Sequence, residues 1–432
     1  VPASGQNGSA STQSLLLWTG GREMIWRGML GIVVLLAIGV LFSADRRAID
    51  RRLVVVALAI QFGIGVLALF VPWGRAVFAM LASSVETVLN YGQVGAAFLF
   101  GGLVGPRMET LFGGGAYVFA FRVLPAIVYV SALMAILYHW GVMQAVARWI
   151  GGGLCRVLGA STLESFSAVL TIFLGQSEMP VALAPYLAEM SETELFTVMC
   201  SGTASVAGSV LAAYAALGVP MTYLLAASFM AIPGGLLFAK ILWPTPRAAT
   251  GAMPRAELHA TNLFDAIAEG AMSGARVAVA VGAMLVAFVG LIALIDGALQ
   301  GIGARIGVAG LSLNHVLGVA LAPVAWLIGI PAAEAVRAGG FLGQKLAFNE
   351  FVAYVGLSPV IHAHALSSRT IGIVSFALCG FSNFSSVGIL IGAFGSIVPE
   401  RRAFIARAAL RCVLAGSLSN AMSATIAGLF LA

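Results

Sequence analysis

The chain has 432 residues, of which 60% are hydrophobic and 9% charged, and its mean hydropathy is +1.01. Soluble domains carry about a quarter charged residues, so this composition excludes an ordinary soluble fold and reads as an integral membrane protein. The net charge of +6 is dispersed through short loops instead of forming a patch, which argues against nucleic acid as a partner and makes the basic residues topology signals.

Residues 1–22 are Gly/Ser-rich and read as a disordered tail or expression remnant outside the fold. Residues 24–43 form the first predicted span, with Trp26 as an interfacial anchor. The loop carrying Arg46, Arg47, Arg51 and Arg52 is then cytoplasmic, which places the N-terminus outside. Residues 53–73 return outward, and 74–106, with Arg75, Glu86, Asn90 and Gln93, read as an interfacial helix and loop. Residues 115–138 are the third span, and 143–157, with Arg148 and Arg156, an interfacial helix on the cytoplasmic side.

Further spans are expected at 194–217 and 219–243. A Pro- and Arg-bearing linker follows at 240–259, then an amphipathic helix at 262–275 with Asp265 and Glu269, and a span at 277–295. Residues 311–331 are apolar but broken by Pro323 and Pro331, 332–354 are interrupted by polar residues, and the last spans are 371–398 and 403–431. The result is an all-α membrane protein of about eight spans with both ends outside. More than half of the 23 Lys and Arg fall in the proposed inner loops. Cys155, Cys200, Cys379 and Cys412 stand singly and imply neither disulfides nor zinc, and His362 with His364 is too sparse for a metal site.

Between the third and fourth spans lies Gly175-Gln176-Ser177-Glu178-Met179-Pro180, flanked by the apolar arms 163–174 and 181–190. Each arm reaches roughly 15–18 Å as helix, about half a bilayer core, so the segment reads as a re-entrant hairpin with a polar tip. Such a tip must be buried in protein or line a wet cavity. Ser177 is the expected N-cap of the second arm.

The pattern recurs. The Gly159-to-Glu164 spacing matches Gly329 to Glu334, and Glu178 has its counterpart in Glu350. Each is followed by a span with a small, polar midsection, Ser201–Ser209 and Cys379–Ser386. Three spans separate the two hairpins, so they enter from opposite faces. Inverted repeats with broken helices meeting at the midplane mark secondary transporters. Intramembrane charge is costly and usually functional, which singles out Glu178 and Glu350. Lys345 either pairs with a carboxylate or snorkels, and Glu164, Glu334 and Arg337 sit at hairpin bases where an interfacial position suffices. Gln176, Ser177, Glu178, Asn349, Glu350, Asn383 and Ser386, with Phe381 and Phe384 nearby, suit a neutral, polar ring compound.

These residues resemble the concentrative nucleoside transporter family. Gly343 to Tyr354 fits its Gly/Ala-x-Lys-x-x-x-Asn-Glu-Phe-Val-Ala pattern, Gly175 to Glu178 its hairpin tip, and Cys379 to Ser386 its helix break, with Ser382 in place of Ala. The resemblance implies a homotrimer with a stationary scaffold and a transport domain that moves as an elevator. By that reading 23–138 is scaffold, 139–243 the first transport repeat, 244–310 linker, amphipathic helix and scaffold, and 311–432 the second transport repeat. It implies that Gln176 and Ser177, assisted by Glu178, hold the base, that Glu350, Asn383 and Ser386 hold the ribose, and that Val210 and Phe381 form apolar walls. Sodium-coupled members carry Asn where this chain has Thr171; the matching Leu174 carbonyl, Ser205 and Val206 carbonyl remain compatible with the ion. Either a weakened sodium site at Thr171 and Ser205 survives, or coupling passes to protons on a carboxylate such as Glu178, the alternative slightly favoured. No cofactor is implied, and the expected location is the inner membrane. An intramembrane hydrolase built on Ser177 and Glu178 would lack a positioned base, and a channel would give flux without accumulation.

Overall fold

The computed structural model describes residues 8–105, 108, 119–244, 260–308 and 310–431, with side chains from residue 25 onward. Its principal elements are helices: α1 Gly8–Leu41, α2 Arg51–Leu69, α3 Pro72–Phe100, α4 Phe119–Arg122, α5 Leu124–His139, α6 Val142–Leu158, α7 Thr162–Leu170, α8 Met179–Ala182, α9 Ala184–Leu187 and α10 Glu192–Ala204. They continue as α11 Gly208–Ala216, α12 Met221–Leu242, α13 Leu263–Ile306, α14 Leu313–Leu327, α15 Ala332–Ala347, α16 Glu350–His362, α17 Ser368–Leu378, α18 Phe384–Ile397 and α19 Arg402–Phe430.

Among the described residues, seven helical segments are long and apolar enough to cross a membrane, or eight if α14 and α15, bent by 116°, count as one. Six of the seven coincide with predicted spans. The span expected at 24–43 is the later part of α1, and the one at 371–398 is divided between α17 and α18. Three expectations change. Residues 74–106, read as an interfacial helix and loop, hold one long helix that ends in a 3-10 turn at Gly101–Val104. Nothing breaks the segment before Gly101, so α3 runs on for 29 residues and becomes the seventh apolar segment. It buries the stripe Gly74, Phe78, Ala82, Gly92 and Ala96 while its polar residues stay exposed. The amphipathic helix and sixth span are one helix, α13, because no Pro interrupts it and Gly270 and Gly274, at the end of the polar face, stay helical against α5. Third, α1 already begins at Gly8, inside the segment read as a tail. Of the linker, 245–259 lie outside the described residues.

The repeat is visible in the order of elements. A long helix (α5 or α13), a surface helix (α6 or α14), a first hairpin arm (α7 or α15), a second arm (α8 with α9, or α16), a broken helix (α10 with α11, or α17 with α18) and a long buried helix (α12 or α19) occur twice. The lead helices pack through small residues. A methyl on Gly270 would come within 2.5 Å of Ala135, and one on Gly274 within 2.7 Å of Ser131, so α5 and α13 touch backbone to backbone.

At the base of the first hairpin Ser161 caps α7 in a capping box with Glu164. Glu164 and Lys240 were read as an interfacial charge and a linker charge, but both are buried and they form an ion pair. The capping box draws Glu164 under the hairpin, and the last turn of α12 brings Lys240 to it. Removing one partner of such a pair strands a charge, at a cost of roughly 3–5 kcal/mol, whereas replacing both with apolar groups is often neutral. Lys240→Met is therefore expected to lower the thermal unfolding temperature of the detergent-purified protein sharply, and Glu164→Leu/Lys240→Met to recover most of the loss. A double variant as unstable as the single one would contradict this account.

Candidate functional site

The two helix breaks cross in the interior. The helix opening at α10 ends at Ala204 and resumes at Gly208; the one opening at α17 ends at Leu378 and resumes at Phe384. The N–H of Phe381 donates to the carbonyl of Ser205 at 3.1 Å, which joins the two interruptions directly. The restart at Gly208 has no side-chain cap, whereas the restart at Phe384 and the helix after the second hairpin tip are capped by amides. Asn383 accepts from the N–H of Ser386 at 3.0 Å to start α18, and Asn349 accepts from Val352 at 2.9 Å to start α16.

Glu350, the first residue of α16, lies 4% exposed among these groups. Its carboxylate accepts from the hydroxyl of Tyr214 at 3.0 Å and from Nδ2 of Asn383 at 3.1 Å. One donor comes from each repeat. Gln176, at the first hairpin tip, donates from Nε2 to the hydroxyl of Ser386 at 2.8 Å, and that hydroxyl donates to the Phe381 carbonyl. The other end of the amide, Oε1 of Gln176, is buried without a hydrogen-bond partner. A buried acceptor left open is costly, and an acceptor lost to water is commonly served by a ligand. Phe381 covers the tip closely, since a methyl on Gly175 would meet its ring at 3.3 Å. Val210 lies one helical turn before Tyr214 on α11.

The structure thus gathers Gln176, Glu350, Phe381, Asn383 and Ser386 around one point. Ser177 and Glu178 turn to the other side of the tip. With Leu174 they line a cavity of about 470 Å³, shared with Tyr138 of α5 and with Glu269 and Arg276 of α13. Ser177 is exposed and caps nothing. The second arm starts at Met179 with Glu178 at the N-cap position, and its carboxylate folds back to accept from the N–H of Gly175 at 3.0 Å. That arm, expected as one helix over 181–190, is two short turns, α8 and α9, in a stretch holding Pro180 and Pro185. Thr171, Ser205 and Val206 lie together: the Ser205 hydroxyl reaches the Thr171 carbonyl at 3.1 Å, and the Thr171 hydroxyl donates to Ala168 at 2.7 Å. No cluster of three or more His, Cys, Asp or Glu able to hold a metal occurs among the described residues.

Two residues escaped the sequence reading. Tyr214 is a single aromatic hydroxyl in a Leu/Ala run, with nothing to separate it from packing residues. Asn420 left a signal, an amide deep in the apolar α19. Its amide donates to the carbonyls of Ala204 at 2.6 Å and Cys379 at 3.0 Å, so it ties both breaks. Lys345 neither snorkels nor reaches a carboxylate as its bonded partner; it donates to the Ala377 carbonyl and to Oδ1 of Asn420, each at 2.7 Å.

Opposed hairpins, crossed helix breaks and a polar centre in an apolar interior define a secondary transporter. The comparisons name the kind. The family models described as "Na+ dependent nucleoside transporter N-terminus", "Nucleoside recognition" and "Na+ dependent nucleoside transporter C-terminus" match residues 30–103, 120–221 and 223–428. The nucleoside permease NupC of Helicobacter pylori is 47% identical over 93% of this chain and 97% of its own length. The structure of CNTnw in an inward-facing, substrate-bound state is similar at 50% identity and a TM-score of 0.90, covering 94% of this chain and 99% of that one. A doubly substituted CNTnw in an outward-facing state gives 49% and 0.92, over 95% and 99%. The chain belongs to the concentrative nucleoside transporter family.

Because Tyr214 and Asn383 serve one buried carboxylate, their loss is expected to be non-additive. Tyr214→Phe should cost roughly 1.5–3 kcal/mol of stability, as for a hydrogen bond to a charged group. In a double-mutant cycle with Asn383→Ala, read by thermal unfolding, the double variant should differ from the sum of the singles. Strict additivity would mean that the two groups act independently.

Proposed function

We propose that this chain carries nucleosides into the cell by alternating access, as an ion-coupled symporter, with proton coupling slightly favoured over sodium. The carrying observation is the convergence of Gln176, Glu350, Asn383 and Ser386 on one buried point beside Phe381. Carboxylate and amide suit ribose hydroxyls, the open acceptor of Gln176 suits an N–H on the edge of a base, and Ser177 and Glu178 adjoin that edge from the cavity side. Val210 and Phe381 supply the apolar walls. On this reading α1 to α5 and α13 form the scaffold, the hairpin-bearing parts of the two repeats, α6 to α12 and α14 to α19, move together, and the protein assembles as a homotrimer in the inner membrane with both termini outside. Inward- and outward-facing structures of a relative support the alternating mechanism.

For the ion, the cavity beside Glu178 gives that carboxylate a wet approach, as a proton carrier requires. The second reading is sodium at Thr171, Ser205 and the carbonyls of Leu174 and Val206. It is favoured by the closeness of Thr171, Ser205 and Val206 and by the family description, and it has one neutral hydroxyl where other members carry an amide.

Uptake of labelled uridine and adenosine into proteoliposomes separates these. An inward proton gradient is expected to drive accumulation without sodium, and Glu178→Gln to abolish that drive. Uptake that requires sodium and ignores the proton gradient would overturn proton coupling in favour of Thr171 as a sodium ligand. Glu350→Gln and Asn383→Ala are expected to weaken uridine binding by roughly 1–3 kcal/mol or more, since each leaves a buried group unpaired. Calorimetry showing unchanged affinity in both would overturn the site.

A further inference from the structure

Lys345 takes no part in the site as proposed, yet it is 3% exposed in the hairpin arm that leads to Glu350. An ammonium so far from water persists only with acceptors around it. One acceptor, the Ala377 carbonyl, lies in the last turn of α17, where helix carbonyls lack intrahelical donors and the helix dipole is negative. The other is Asn420, whose Oδ1 also accepts from Ser382 at 2.9 Å while its amide holds the Ala204 and Cys379 carbonyls. The knot has no slack, for a methyl on Gly380 would come within 2.2 Å of Asn420. The strand of chain held this way ends at Asn383, and Asn383 returns to Glu350 on the hairpin that carries Lys345. The contacts form a closed ring from hairpin to break and back to hairpin.

We propose that Lys345, acting through Asn420, is a positioning residue for the sugar half of the site: it locks the second break against the second hairpin so that Asn383 and Glu350 meet the ribose hydroxyls at a fixed spacing. The inference rests on the nucleoside reading above. The base side stands on the first hairpin tip, which the ring reaches only beyond Asn383, through Ser386 to Gln176, so the effect of Lys345 falls first on hydroxyl recognition.

The test uses the full-length protein in detergent and calorimetry with uridine, adenosine and dideoxyuridine. In the unaltered protein uridine binds more tightly than dideoxyuridine; if no nucleoside binds, it is the nucleoside reading that fails. Lys345→Gln is expected to weaken uridine about tenfold while dideoxyuridine changes by less than about twofold, as expected when hydrogen bonds to a charged group lose their alignment. The ratio of uridine to adenosine affinity stays as it was. A merely structural role would weaken all three alike, and that result, or a fully retained preference for uridine over dideoxyuridine, overturns the proposal. Should Lys345→Gln fail to assemble, Ser382→Ala removes one bond to Asn420, and a methyl fits the space. It is expected to shrink the same preference about threefold, in line with one neutral hydrogen bond, and an unchanged preference overturns the proposal.

Discussion

Two helices broken inside a membrane leave carbonyls and N–H groups that lipid cannot satisfy, and every other feature of the interior answers that constraint. Asn420 holds the last carbonyl before the first break, that of Ala204, and the carbonyl of Cys379 in the second. Asn383 and Asn349 start the helices that follow the second break and the second tip. Lys345 supplies a donor where α17 ends. The breaks also bond to each other, from Phe381 to Ser205. Where the first hairpin tip meets the second break, this mutual satisfaction still leaves one acceptor open on Gln176, beside the carboxylate of Glu350 with its two donors from opposite repeats. A transporter needs such a remainder, because a polar interior wholly satisfied by itself has nothing to offer a cargo.

Much of this was legible in the chain. The hairpin tip declares itself because Gln176, Ser177 and Glu178 interrupt an apolar run too short on either side to cross a bilayer. The second tip was legible through Lys345, Asn349 and Glu350, the repeat through the matching spacing of Gly159 to Glu164 and Gly329 to Glu334, and its inversion through the three spans between the hairpins. Helix ends were less legible. The polar residues of α3 suggested a surface helix, but hydropathy reports which face is wet and not where a helix stops, and no Pro follows Pro72 before Gly101 while Gly92 and Gly95 stay helical. The same reasoning divided α13 where only its polar face ends. Tyr214 was invisible because a buried tyrosine is identified by its partner, and that partner is 136 residues away. Glu164 and Lys240 misled for the opposite reason: charges near hairpin ends suggest water, and only the fold brings them face to face.

The repeat is symmetric in its elements and asymmetric in its chemistry. Glu350 is pinned by two side-chain donors in the protein interior, whereas Glu178 bonds only to the N–H of its own tip among the contacts resolved and borders a cavity. A carboxylate held by two fixed donors keeps one geometry and suits recognition. A carboxylate at the edge of a cavity, held by one local bond, can change partners without taking the interior apart. The difference starts in the hairpins themselves. The second arm of the second hairpin, α16, is a 13-residue helix capped by Asn349, which fixes Glu350 in its first turn. Its counterpart, in a stretch holding Pro180 and Pro185, is two short turns with no side-chain cap, which leaves Glu178 at the edge of the packed region. In the proposed mechanism the division follows from that local backbone difference: the well-capped helix carries the residue that must not move, and the poorly capped one carries the residue that must trade with water.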